Sequence, residues 1–77
     1  MNDITQQITE ISKLIDAAPN AELYLRRGKL YWQLGERRLA INDYNSSAAL
    51  DPDGPGATAL KATQEIMDFY NHDLYNP

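Results

Sequence analysis

The sequence predicts an all-α domain of four antiparallel helices, and two observations carry that prediction. Apolar residues recur at helical spacing along the chain, and no segment alternates with the period of two that a strand needs. The breaks between periodic segments are short and rich in proline and glycine, and short connections between helices force antiparallel neighbours. With 77 residues there is room for one small domain, spanning residues 1–77.

The first helix is expected over about residues 3–17. Ile4, Ile8, Ile11 and Ile15 form one stripe, widened by Leu14, while Gln6, Gln7, Glu10 and Lys13 take the other sides. Asp3 suits the N-cap, and Pro19 ends the segment. The second helix starts after Asn20, a further N-cap candidate. Leu23, Tyr24, Leu30, Tyr31 and Leu34 are its apolar positions. Gly35 suits the position just past its end, because glycine enters the left-handed conformation without steric cost. Gly28 lies inside this helix, where it costs about 1 kcal/mol relative to alanine. Close approach of a neighbouring helix would explain it.

The third helix follows Gly35, with Leu39, Ala40, Ile41, Tyr44, Ala48 and Leu50 expected on its buried side. The run Asp51-Pro52-Asp53-Gly54-Pro55-Gly56 stops it. The last helix is expected over about residues 57–70. Leu60, Thr63, Met67 and Tyr70 form one row, with Ala62, Ile66 and Phe69 beside it and Lys61, Glu65, Asp68 and His72 opposite. Residues 71–77 read as a polar tail, from which Leu74 and Tyr75 could fold back.

Composition narrows the function. A domain of this size buries roughly 60% of the surface of its unfolded chain, so it depends on good helix packing or a partner. The absence of cysteine excludes disulfides and thiolate metal sites, and the lone His72 does not make a zinc site without several carboxylates. No metal or cofactor is expected. Lack of cysteine fits the cytoplasm. The first twenty residues lack the basic start and apolar core of a secretory signal, and no apolar run approaches the roughly 20 residues of a membrane span. Met1 suggests a natural start. A net charge of −4 argues against general nucleic-acid binding.

Residues 21–54 carry a repeat pattern. Tyr24 is followed by Leu25-Arg26-Arg27-Gly28 and then Tyr31. Ala40 precedes Tyr44 at an interval of four, Gly35 sits at the turn, and Pro52 closes the unit. This resembles one complete unit of the tetratricopeptide repeat family, in which an aromatic, x2-L-G-x2-Y, A-x3-F and a proline recur within about 34 residues. Arg27 replaces the leucine before the glycine, a departure expected to loosen packing there. Shifted by about 33 residues, Ile8, Ile11 and Pro19 fall on Ile41, Tyr44 and Pro52, so helix 1 resembles the second half of a preceding unit. Shifted by about 35, Ala59, Ala62, Ile66 and Phe69 fall on Tyr24, Arg27, Tyr31 and Leu34, as in a terminal capping helix. The resemblance implies a right-handed array of antiparallel helix pairs that serves as a non-catalytic protein-interaction scaffold.

Five of the seven basic residues lie between Tyr24 and Ala40. Arg26, Lys29, Trp32 and Gln33 share one face of helix 2, extended by Glu22 and Leu25. By resemblance, that face lines a concave groove for a peptide, with Lys61 of helix 4 as a second contributor. Arg26 and Lys29 would donate to an acidic side chain or a C-terminal carboxylate, and Trp32 would offer a flat apolar platform. The competing expectation is a solvated face with Trp32 packed into the core. Arg37 and Arg38 open helix 3 and read as a solvated turn.

A helix-turn-helix arrangement would place Asn42, Asp43 and Asn45 on the DNA-reading helix, with few cations after Arg38. Asp51-x-Asp53-Gly54 lacks the further ligands of a calcium loop. There is no cysteine nucleophile and no serine arrangement that points to a catalytic triad, so no enzyme is expected. Two functions follow: an adaptor for a protein or peptide segment, acidic or C-terminal, or a self-associating structural module in which helix 4 of one copy stacks on helix 1 of another or a two-fold dimer forms.

Overall fold

Local capping sets the helix boundaries. In the computed structural model, which describes residues 3–75 and the side chains of residues 3–68, four helices follow one another: α1 (Ile4–Ala17), α2 (Ala21–Gln33), α3 (Arg37–Leu50) and α4 (Pro55–Tyr75). No strand occurs among the described residues. Asp3 caps α1 by accepting from the Gln6 amide at 2.8 Å, and Asn20 caps α2 by accepting from the Leu23 amide at 2.9 Å. Gly35, at φ 83°, ends α2 in a Schellman turn. The Glu36 amide donates to the Tyr31 carbonyl at 2.9 Å and the Gly35 amide to the Trp32 carbonyl at 3.0 Å.

The core sits where α2 meets α3. Leu25, Ala40 and Tyr44 are buried together, with Tyr31, Trp32, Ala59 and Leu60 packed against them. α3 packs against both α2 and α4, while among the described residues α1 packs against α2 alone. Gly28 accounts for the close approach: a methyl placed on it would lie 2.6 Å from Tyr44 Cε1 and 3.2 Å from Asp43 Cβ, inside van der Waals contact. Two side chains of α3 therefore fit only because α2 carries hydrogen at that point.

Three expectations are corrected. On α3, Ala40 and Tyr44 are buried as expected, but they are joined by Asp43 and Ser47, while Leu39 and Leu50 are exposed. The polar members are buried because each finds a partner; Ser47, for example, donates to the Ala21 carbonyl at 2.7 Å. Gly56 leaves room for that serine at the start of α4. Leu14 and Leu34 are exposed rather than part of the apolar stripes, because α1 and the end of α2 are each packed on one side only.

Helix α4 also begins earlier and ends later than expected. Proline is well suited to a first helical turn, since its missing N–H has no partner there anyway, so Pro55 opens α4 rather than closing the loop. The helix continues through Tyr75, so residues 71–75 are helical rather than a tail. Thr63 is buried and Leu60 and Met67 half-buried, but Ala62 and Ile66 face outward. The side chains of Phe69, Tyr70, His72, Leu74 and Tyr75 lie outside the described residues, as do Asn76 and Pro77.

Candidate functional site

Helix α2 divides its charges between two faces. The outer stripe is Glu22, Arg26, Lys29 and Gln33, spaced so that each follows the last by one turn, and all four are exposed. Arg26 reaches back along its own helix to Glu22 at 3.2 Å. The two side chains are 62% and 71% exposed, so the pair is weak and readily exchanged. Lys29 and Gln33 remain open to solvent on the same stripe. Lys61 is also exposed, on α4.

Two expected members of this face are placed differently. Leu25 belongs to the core cluster and also lines a cavity at the N-terminal end of α2. Trp32 is half-buried against the same cluster, and the Arg37 guanidinium lies over its ring, 5.3 Å from the centroid. The indole is thus shared between core and surface, and Arg37 occupies the stacking position that a partner would need. Arg37 is not merely part of a solvated turn.

The inner side of α2 carries the element that the sequence did not reveal. Arg27 forms a two-pronged pair with Asp43 of α3, both bonds at 2.8 Å, and donates to the Ser12 hydroxyl of α1 at 3.0 Å. Its guanidinium lies 5.7 Å and 5.8 Å from the ring centroids of Tyr24 and Tyr31. The expected loosening at Arg27 is therefore replaced by a lock joining three helices. The hydrogen bond to Asp43 raises the Arg27 pKa above its ordinary value, outweighing burial, which lowers it. Beside them, burial raises the Tyr44 phenol above its ordinary value, and the Asp43 charge adds to that shift. Asp43, considered for a DNA-reading surface, is buried and committed to Arg27.

At the N-terminal end of α2 the chain leaves a cavity of about 280 Å³, lined by Ala21, Glu22 and Leu25 of α2, Ser47 of α3, Asp51, and Pro55 of α4. Glu22 and Leu25 were expected at a binding face; the other lining residues were not. The signal for them was in the loop, since Gly54 and Gly56 are the residues that let α4 approach the end of α3. A methyl on either would collide with Asp51 or Ser47.

Among the described residues no group of three or more His, Cys, Asp or Glu converges as a metal site, and no helix is long and apolar enough to cross a membrane. Comparison with family models, curated proteins and solved structures finds no match to this chain.

Proposed function

We propose that the chain is a short helical array of tetratricopeptide type that binds a polypeptide segment, without catalysis, along the outer face of α2. The observation that carries the reading is the division of α2. Its inner residues hold α1 and α3, while Arg26, Lys29 and Gln33 stand in line on the outside, leading to a cavity at one end. Nothing in the packing requires basic and amide side chains in that row. They match a partner with hydrogen-bond acceptors along an extended backbone. Lys61 supplies a further donor on α4. Absence of cysteine suits a cytoplasmic adaptor.

The test is an array of short acidic, basic and C-terminal peptides probed with the parent and with Arg26→Glu/Lys29→Glu. Both substitutions are on exposed positions, so the fold is retained, which circular dichroism checks. Loss of the bound set in the double variant is expected. An identical set in parent and variant contradicts the assignment of this face.

A second reading, self-association, has its own support: Leu14 on α1 and Ile66 on α4 leave large apolar side chains exposed on the two terminal helices. Light scattering after size exclusion decides it. A mass that rises with concentration and falls in Leu14→Gln/Ile66→Gln supports it, and a constant monomer mass rejects it.

A further inference from the structure

The lining of the cavity at the N-terminal end of α2 specifies an occupant. Its walls are apolar at Ala21, Leu25 and Pro55. Its polar side chains only accept. Glu22 and Asp51 are carboxylates, and the Ser47 proton is already given to the Ala21 carbonyl at 2.7 Å, leaving only lone pairs. Pro55 has no amide N–H to offer. The helix dipoles do not choose a charge here, since α3 ends at Leu50 while α2 begins at Ala21 and α4 at Pro55, so the two carboxylates decide it. A carboxylate or phosphate entering here would meet two like charges. A lysine meets apolar walls along its four-carbon stem and acceptors at its ammonium.

The outer stripe of α2 then sets a second position. Glu22 and Lys29 are seven residues apart on one face, about 10 Å at 1.5 Å per residue. An extended chain covers that distance in about three residues. The weak Arg26–Glu22 pair opens when a partner cation reaches Glu22, which frees Arg26 to join Lys29 in donating to an acidic group.

We infer that the segment bound along α2 places a lysine side chain in the cavity lined by Glu22, Leu25, Ser47 and Asp51, and an acidic side chain about three residues away against Lys29. This rests on the outer face of α2 being the binding face, and it makes the partner a bipolar segment rather than a purely acidic one.

The experiment is amide-resolved NMR titration of the ¹⁵N-labelled chain with blocked alanine-based peptides. One carries lysine and glutamate three positions apart, one has norleucine for the lysine, and one has alanine for the glutamate. The proteins are the parent, Glu22→Gln/Asp51→Asn and Lys29→Ala, each checked for an otherwise unchanged spectrum. The lysine–glutamate peptide is expected to shift the amides of Glu22, Leu25, Ser47 and Asp51. Its binding should weaken about fivefold with norleucine, and by a similar factor in Glu22→Gln/Asp51→Asn. Norleucine should bind parent and Glu22→Gln/Asp51→Asn alike.

Absence of shifts at the cavity, equal binding of norleucine and lysine, or unchanged binding in Glu22→Gln/Asp51→Asn overturns the inference. Each does so even if Arg26→Glu/Lys29→Glu abolishes peptide capture and the face itself stands. Lys29→Ala binding the lysine–glutamate peptide as tightly as the parent overturns the three-residue spacing, and unchanged capture by the charge-reversed variant removes the face as well.

Discussion

Arg26 and Arg27 are neighbours with the same chemistry and opposite fates. Arg26 sits on the outer face of α2, 62% exposed, held only by Glu22 of its own helix. The Arg27 side chain is 20% exposed and is fixed by two bonds to Asp43, one to Ser12 and two flanking tyrosines. A rotation of 100° about the helix axis separates a replaceable surface charge from a structural one. The lesson is that a basic cluster in the sequence is not one site. Arg27 belongs to the fold, whereas Arg26 and Lys29 stand exposed on the outer face.

The largest effect should come from breaking the inner pair. Asp43→Ala leaves the Arg27 guanidinium half-buried without its counter-charge and is expected to cost about 3 kcal/mol, a large share of the stability of so small a domain. Replacing both partners, Arg27→Leu with Asp43→Leu, is expected to recover most of that loss, because an apolar pair carries no desolvation cost. Urea unfolding of the two variants measures both.

Next is Gly28→Ala. Alanine favours the helix by about 1 kcal/mol, yet its methyl meets the buried ring of Tyr44 and the Cβ of Asp43. A net loss of about 1 kcal/mol is expected in the same assay, an overpacking cost of about 2 kcal/mol offset by the propensity gain of about 1 kcal/mol.

A smaller effect appears at high pH. The folded-state Tyr44 pKa is raised, so its contribution is fully present below the unfolded value near 10.0 and is lost as the pH rises through the higher folded value. The unfolding midpoint should therefore fall in the alkaline range, with Tyr44 ionising above the ordinary phenol range. In Tyr44→Phe that contribution to the alkaline slope should vanish. The smallest effect belongs to the outer surface: Leu14→Gln and Ile66→Gln should each stay within about 0.5 kcal/mol of the parent.

The helices were legible because their signals are local. Asp3, Asn20, Gly35 and Pro19 each act within a turn of where they stand, and the small residues Gly28 and Ala40 mark the α2–α3 crossing. The buried face of α3 was legible only at Ala40 and Tyr44, not at Asp43 and Ser47. Its apolar residues are spread around the helix, so counting them does not choose a side, and Asp43 reads as a solvent-facing residue until its partner 16 residues away is known. One clue was present: an arginine next to the close-packing Gly28 needs a counter-charge, and Asp43 precedes the tyrosine that packs on that glycine. The end of α4 was misplaced because Asn71, His72 and Asp73 are polar. Polarity does not stop a helix, and after Gly56 no glycine or proline intervenes before Pro77.

For the outer face, Arg26, Lys29 and Gln33 followed from helical spacing alone, whereas Leu25 belongs to the core cluster and reaches the surface as a wall of the cavity. The cavity depends on where α4 begins, and no spacing rule within α2 reports that.

The division of α2 into a structural and an available face is tested most directly by unfolding Arg26→Ala and Arg27→Ala side by side in urea. The structure predicts that Arg26→Ala stays within about 0.5 kcal/mol of the parent while Arg27→Ala loses about 3 kcal/mol by leaving Asp43 buried and unpaired. Equal losses in the two variants, or a greater loss at Arg26, would contradict it.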